Sequence, residues 1–107
     1  MAPRRLVVSD VHGESQRLLR VLEMANYDSS TDRLFLLGDY VDRGSDSTGT
    51  LKVVEKLVRN GAVALLGNHD LMMINSYYNE DNLLLWLCNG GHTTLEEVGG
   101  IIPEYWV

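Results

Sequence analysis

The stretch that decides the fold is GDYVDRG, residues 38–44, which directly follows the apolar run LFLL at residues 34–37. A short apolar run that ends in glycine is typical of a buried strand entering a tight turn. The turn carries two carboxylates and a guanidinium, which belong to Asp39, Asp42 and Arg43. Charged groups gathered in a turn beside a buried strand are typical of a functional loop.

Two further apolar runs are broken by polar residues in the same manner. Near the N-terminus, LVV at residues 6–8 leads into SDVHG, residues 9–13. Further along, AVALL at residues 62–66 leads into GNHD, residues 67–70. Each run predicts a short buried strand, and each polar stretch predicts a turn at the carboxyl end of that strand.

The segments between the three runs have the spacing of amphipathic helices. One covers residues 14–25, and the other follows the N-cap candidates at 45–48 and stops at Asn60-Gly61. The apolar residues that share a face are Leu18, Val21, Leu22 and Ala25 in the first helix, and Leu51, Val54 and Val58 in the second. Three strands separated by two helices predict an α/β fold with a right-handed, parallel βαβαβ sheet flanked by helices.

The remaining third of the chain predicts two more apolar helices, at residues 71–74 and 82–88. Leu84, Leu87 and Cys88 fall on one face of the second helix, so Cys88 is expected to be a small core residue. Core packing is also the expected role of Trp86.

The composition narrows the class of protein. With 107 residues, a hydrophobic fraction of 45% and a net charge of -6, the chain is predicted to form one globular domain over residues 1–107. The acidic balance disfavours nucleic acids and anionic membranes as partners. No apolar run reaches the roughly 18 residues of a membrane span, no signal peptide is recognised, and the single cysteine makes no internal disulfide. A cytoplasmic location is therefore expected.

The three turns are expected to meet, because the carboxyl ends of parallel strands lie along one edge of a sheet. The residues that this brings together are Asp10, His12, Asp39, Asp42, Asn68 and His69. Taken singly, Asp and Asn at such positions also suit turns and helix caps. Taken together, each flanked by His, Asp or Arg, they favour a functional site.

Four of these residues, Asp10, His12, Asp39 and Asn68, offer oxygen or imidazole ligands. This donor set suits Mn, Fe or Zn. Asp39 follows the middle strand and has two carboxylate oxygens with which to bridge two ions. Two ions about 3.5–4 Å apart can share a water and clamp a phosphoryl group. The pattern therefore predicts a site for two divalent metal ions.

The neighbouring residues suit a phosphate substrate. The guanidinium of Arg43 is a planar fork that grips phosphate oxygens, and the Asn68 amide is expected to contact the same phosphate. His69 is placed to protonate a leaving oxygen, and Asp42 to hold the histidine in the correct tautomer. These roles predict hydrolysis of a phosphate ester.

The motifs SDVHG, GDYVDRG and GNHD resemble, in order and at comparable spacing, the three signatures of the calcineurin-like metallophosphoesterases. The YVDRG form is similar to the phosphoprotein phosphatase branch, which also includes bacterial symmetrical diadenosine tetraphosphate hydrolases. WLCNGG at residues 86–91, followed by Thr94-Leu95, is similar to a W-x-x-N-G-G-x-x-T-L stretch in bacterial members of that branch. The resemblance spans residues 6–95.

The resemblance implies half of a four-layer α/β/β/α sandwich and a pair of divalent ions, with Mn favoured and Fe or Zn as alternatives. The implied roles are Asp10 and His12 on the first ion, Asp39 as the bridge, Asn68 on the second ion, Arg43 on phosphate, and Asp42 with His69 on the leaving group. The family completes this site with further histidines in Gly-His contexts on a second half-fold, and the sequence does not contain them. His92 lies in the W-x-x-N-G-G-x-x-T-L segment, where the family places no ligand. We therefore expect the N-terminal half of a larger enzyme, with weak metal binding, especially of the second ion.

The leading function is hydrolysis by a serine/threonine protein phosphatase acting on a phosphoprotein, slightly ahead of a hydrolase acting on diadenosine tetraphosphate or a similar small phosphoester. The alternative is a catalytically incomplete fragment that acts only in binding or assembly. Uncovered apolar segments at 83–87 and 101–107 and an unpaired edge strand favour a homodimer or higher oligomer. A nucleotide-binding module is least favoured, because neither a G-x-G-x-x-G motif nor a P-loop follows any strand.

Overall fold

The computed structural model of the protein describes residues 4–106. Its strands are β1 (Arg5–Val8), β2 (Arg33–Leu36) and β3 (Val63–Ala64). Its α-helices are α1 (Ser15–Met24), α2 (Ser47–Arg59), α3 (Asn68–Ser76), α4 (Glu80–Trp86) and α5 (His92–Glu97). A π-helical turn at Leu87–Gly91 joins α4 to α5, and a 3-10 turn covers Glu104–Trp106.

The sheet confirms the predicted βαβαβ arrangement. β1 pairs with β2 and β2 pairs with β3, both in parallel, so the spatial order is β1-β2-β3. In the register of the sheet, Val7 lies opposite Phe35, which lies opposite Val63. All three strands therefore end at the same edge, where the three polar turns follow.

The third strand is shorter than the apolar run that predicts it. Only Val63 and Ala64 belong to the ladder, although the Leu65 amide still donates a 2.8 Å hydrogen bond to the Leu36 carbonyl. Leu65 and Leu66 are exposed, at 54% and 62% of their surface. Because β3 is at the edge of the sheet among the described residues, it has a neighbour on one side only, and the chain leaves the ladder as it approaches the third turn.

The two helices between the strands cover one face of the sheet. Leu18 and Leu22 of α1 and Val54 of α2 pack against Leu34 and Leu36 of β2. The α2 helix begins with a side-chain cap, in which Asp46 accepts a 2.8 Å hydrogen bond from the Gly49 amide, and it stops at Asn60 as the sequence predicts.

A second apolar cluster lies under the C-terminal helices and contains Val41, Met73, Trp86 and Ile102. The expectation that Leu84 and Cys88 face the core is wrong, since Leu84 is 59% exposed and Cys88 is also exposed. Trp86 is fully buried, as expected, and its face of α4 points inward instead. The indole of Trp86 donates a hydrogen bond to the buried carboxylate of Asp42, and this side of α4 therefore faces inward.

One face of the sheet is largely uncovered among residues 4–106. The row formed by Val7, Phe35 and Val63 crosses all three strands, and Val7 and Val63 are exposed at 60% and 47%. Parallel sheets are normally covered on both faces. Along the part of the chain that is described, no helix has the length and apolarity needed to cross a membrane.

Candidate active site

The first two turns after the strands are tied together by backbone hydrogen bonds, and the third turn packs closely against the second. The His12 amide donates to the Asp39 carbonyl at 2.9 Å, and the Gly13 amide donates to the Tyr40 carbonyl at 2.8 Å. Gly67 lies directly against Asp39, so that a β-carbon at position 67 would overlap the Asp39 backbone nitrogen and its carboxylate. Only glycine permits this close approach of the second and third turns.

Five of the residues in this region have left-handed backbone conformations that side chains other than glycine rarely adopt. They are Asp10, His12, Asp39, Asp42 and Arg43, with φ angles of 56°, 42°, 57°, 74° and 68°. Each such residue costs of the order of 1–3 kcal/mol, and the surrounding structure must hold it in place. Strained residues cluster at functional sites, and all five are residues that the sequence singles out.

Asp10, His12 and Asp39 converge to form a candidate metal group. One ligand atom from each residue can be chosen so that all three lie within 4.8 Å of one another. The Nδ1 atom of His12 lies 2.8 Å from the Val41 carbonyl. Since a carbonyl can only accept, Nδ1 carries the proton and Nε2 is left with a lone pair for a ligand. A metal-binding histidine is commonly oriented by such a contact.

Asp39 lies at the centre of the site. Its Oδ1 atom accepts a 2.9 Å hydrogen bond from the His69 amide, which ties the second turn to the start of α3. Burial acts to raise the pKa of Asp39, but the hydrogen bond from His69, the Asp10 carboxyl and the nearby histidines together lower it below its ordinary value. The carboxylate is therefore held in the ionised form that a divalent ion requires.

Asp42 and His69 form a buried pair beside this group. The Nδ1 atom of His69 lies 2.8 Å from Oδ2 of Asp42, and the Asp42 side chain is completely buried. The ring of His69 meets that of His12 edge to face, with centroids 4.8 Å apart. The pair is thus in contact with the candidate metal ligands, and the Nε2 atom of His69 is left to give or take a proton.

Asn68 and Arg43 are both exposed. Asn68 is exposed as the first residue of α3, between Gly67 and His69, which both contact Asp39. Arg43 is also exposed, and its backbone amide donates to the Thr93 hydroxyl at 3.1 Å. His92 is exposed at the start of α5.

Asp70, for which the sequence predicts no specific role, holds the two later turns together. Its carboxylate accepts hydrogen bonds from the backbone amides of Asp39 at 2.6 Å, Tyr40 at 2.8 Å and Gly67 at 2.9 Å. Burial raises the pKa of Asp70, and the three amide donors act in the opposite direction. Its position as the last residue of the GNHD motif was the one signal in the sequence.

Two more residues that the sequence analysis did not assign to the site contact Asp42 from the C-terminal helices. The indole Nε1 of Trp86 donates to Oδ2 of Asp42 at 2.7 Å, and the Thr94 hydroxyl donates to Oδ1 at 2.6 Å. They lie 44 and 52 residues from Asp42 along the chain, so no local pattern predicts the contacts.

Residues 3–105 match the family described as calcineurin-like phosphoesterase. The chain belongs to this family. The family resemblance of the three motifs is thereby confirmed. Asp10, His12 and Asp39 are a group that could hold a divalent ion.

Curated members of the family that the chain matches are symmetrical bis(5'-nucleosyl)-tetraphosphatases. The one from Pseudomonas entomophila is 40% identical over 76 residues, which is 71% of this chain and 26% of that protein. The one from Aeromonas hydrophila is 46% identical over 67 residues, which is 63% of this chain and 24% of that protein. The chain thus spans about a quarter of the length of these phosphoesterases.

A solved structure, described provisionally as a diadenosine tetraphosphatase, matches the fold with a TM-score of 0.66 and 29% identity. The match covers 81% of this chain and 38% of the solved one. The three-stranded parallel unit therefore corresponds to part of a phosphoesterase fold. Among the named relatives, the comparisons favour the tetraphosphate hydrolases over the protein phosphatases that the sequence placed slightly ahead.

Proposed function

We propose that this chain carries part of the metal site of a phosphoesterase that hydrolyses dinucleotide tetraphosphates. The observation that carries the proposal is the convergence of Asp10, His12 and Asp39 within 4.8 Å at the carboxyl ends of the strands. The choice of substrate is supported by the two relatives named above, which are 40% and 46% identical and are both named as tetraphosphatases.

The residues present fit a divalent ion. Two carboxylates and an imidazole whose Nδ1 proton is given to a carbonyl form a hard to borderline donor set. In the proposal Asp10 and His12 hold one ion, Asp39 contributes to both, and Asn68 holds the second. The chemistry that two bound ions supply at such a site is activation of a water and neutralisation of phosphate charge.

The other polar groups are proposed to act on the substrate and not to bind the ions. Arg43 is exposed and directly follows Asp42, and it is proposed to orient a phosphate oxygen through its guanidinium. His69 is proposed to deliver a proton from Nε2 to the oxygen of the departing nucleotide, while Asp42 keeps Nδ1 protonated and fixes the ring. A tetraphosphate chain offers several anionic oxygens to such a constellation.

The test compares Mn-dependent hydrolysis of diadenosine tetraphosphate with that of a phosphoserine peptide by the same preparation. We expect the dinucleotide to be preferred and Asp39→Asn to abolish its hydrolysis. Asp28→Asn is the matched control, because Asp28 lies in the turn before β2, at the opposite edge of the sheet. A preference for the peptide would contradict the substrate, and equal activity of Asp39→Asn and wild type would contradict the metal site.

A second candidate is a role in binding or assembly without catalysis. It is favoured by the open row of Val7, Phe35 and Val63, which leaves apolar surface on one side of the sheet. The absence of Mn-dependent hydrolysis, together with self-association of the chain, would support this candidate over the enzyme.

A further inference from the structure

The carboxylate of Asp42 is completely buried, and both of its oxygens have hydrogen-bond partners. Oδ2 accepts from the Trp86 indole at 2.7 Å and lies 2.8 Å from Nδ1 of His69, while Oδ1 accepts from the Thr94 hydroxyl at 2.6 Å. A buried carboxylate is costly unless such donors surround it. The direction of the oxygen that faces His69 is therefore set by Trp86 and Thr94 as well as by the turn.

Thr94 also accepts a hydrogen bond from the backbone of Asp42. Its oxygen accepts from the Asp42 amide at 2.9 Å and lies 2.9 Å from the Ser47 hydroxyl. Since the Thr94 proton goes to Asp42, the Ser47 hydroxyl must donate to Thr94. The threonine thus uses its one donor and both lone pairs, and an exchange for valine would remove three contacts at once.

The segment that supplies these donors, residues 86–94, is shaped to bring both to one point. Trp86 ends α4, the π-helical turn at Leu87–Gly91 follows, and Thr94 lies in α5. The backbone of Gly91 lies against the indole, where any β-carbon would overlap the ring. Asn89 donates from Nδ2 to the Leu85 carbonyl at 2.7 Å, which closes the turn. Gly91 and Asn89 thereby contribute to the placement of Trp86 and Thr94.

Helix α5 also contacts the next residue of the GDYVDRG loop and the start of α2. The Arg43 amide donates to the Thr93 hydroxyl at 3.1 Å. The carboxylate of Glu97 accepts from the amides of Ser47 and Thr48, at 2.9 and 3.0 Å, at the start of α2. The loop that carries Asp42 is therefore held from outside by α5.

We propose that Trp86 and Thr94 are positioning residues for His69, which they orient by fixing the Asp42 carboxylate from behind. The proposal rests on the proposed function only for the use that the enzyme makes of His69. The orientation itself is a property of the apo chain. It assigns to the C-terminal segment, which contains none of the candidate metal ligands, a direct effect on the chemistry at the strand ends.

The first arm of the test is NMR of the isotope-labelled chain without metal. In the wild type we expect a slowly exchanging Nδ1 proton on His69 and a hydrogen-bonded indole proton on Trp86, assigned with His69→Gln and Trp86→Phe. Thr94→Val is expected to abolish the His69 signal and Thr94→Ser to restore it. Thr50→Val is the matched control, since Thr50 is equally buried and its hydroxyl bonds only to the Asp46 carbonyl.

The second arm is Mn-dependent hydrolysis of p-nitrophenyl phosphate. Thr94→Val should lower kcat about tenfold with KM unchanged, as expected for a lost hydrogen bond to a charged group. Thr94→Ser should recover to within about twofold and Thr50→Val should match wild type, which a loss of stability alone would not produce.

The two arms separate the proposals. A His69 signal that persists unchanged in Thr94→Val overturns the positioning role, whatever the activity. A signal lost in Thr94→Val and regained in Thr94→Ser supports it even where the wild type hydrolyses nothing, and that inactivity would count against the proposed function alone.

Discussion

The Nδ1 atom of His69 lies 2.8 Å from the buried carboxylate of Asp42, although 27 residues separate the two along the chain. The contact joins the second turn to the start of helix α3, which lies in the third turn. It exists because β2 and β3 are parallel neighbours, so that both turns leave the sheet at the same edge. The histidine side chain is 11% exposed and the aspartate is fully buried, so the pair has an inner and an outer member.

Asp42→Asn is predicted to destabilise the fold strongly. The substitution places an amide NH2 or a weaker oxygen acceptor where the carboxylate receives donors from Trp86, Thr94 and His69. The cost of such a broken buried network is about 3 kcal/mol. Urea unfolding followed by far-UV circular dichroism measures it. The exposed Asp81, at the start of α4, gives the control Asp81→Asn, which should leave the midpoint unchanged. Equal midpoints for both variants would contradict the description of Asp42.

Gly67→Ala is predicted to disrupt the metal group as well as the fold. The new β-carbon would overlap the backbone and the carboxylate of Asp39, so the second and third turns must separate, at a cost of about 1–3 kcal/mol. Gly61→Ala is the control, because nothing lies within 4 Å of that position and only its φ of +105° opposes a side chain. We expect Mn affinity to fall in Gly67→Ala and to survive in Gly61→Ala. Loss of affinity in neither variant would refute the close approach.

The stability of the fold is predicted to depend on Asp32 in acid. Hydrogen bonds from the Arg4 guanidinium and the Asp28 amide lower the pKa of Asp32 from its ordinary 3.8 to about 2. A carboxyl whose pKa is lowered on folding stabilises the fold above the unfolded pKa and loses that contribution as the pH falls through the folded pKa. Asp32→Asn should therefore be less stable than wild type at neutral pH.

The difference between Asp32→Asn and wild type should shrink between about pH 4 and pH 2, where the wild-type carboxyl takes up its proton. Urea midpoints of both proteins across this range measure it. A difference that stays constant down to about pH 2 would show that the ionised carboxyl is not the stabilising form.

The open face of the sheet is predicted to make the isolated chain self-associate. Val7 lies in the row with Phe35 and Val63 and is 60% exposed, so Val7→Lys should reduce association by placing a charge in the row. Val58→Lys, in the last turn of α2 and at 43% exposure, is the control. Light scattering across a concentration series measures the effect. A monomer at every concentration would contradict the prediction.

The sequence predicts the order of the elements and the edge at which the site lies, because both follow from local periodicity and from the rule for parallel strands. It does not predict the length of β3, since the apolar run at 62–66 continues past the point where the ladder ends. Nor does it predict the rotation of α4. Helical spacing places Leu84 and Cys88 on an apolar face, but the hydrogen bond from Trp86 to Asp42 turns another face inward.

The candidate site is likewise predicted only in part by the sequence. The three motifs predict the residues that meet at the strand ends, and the structure brings Asp10, His12 and Asp39 together. The residues that hold the motifs, such as Asp70 and Thr94, act through hydrogen bonds across 30 residues or more, which no local pattern contains. Five site residues have a left-handed backbone although none of them is glycine. Their conformation therefore depends on contacts with the neighbouring turns, which the residue type does not predict.

The most direct test of the account is titration of the chain with Mn by isothermal calorimetry, comparing wild type, Asp39→Asn and the control Asp28→Asn. We expect weak but measurable binding by wild type and by Asp28→Asn, and at least about tenfold weaker binding by Asp39→Asn, which corresponds to about 1.4 kcal/mol. Binding of equal strength by Asp39→Asn, or no binding by wild type, would contradict a metal site at the carboxyl ends of the strands.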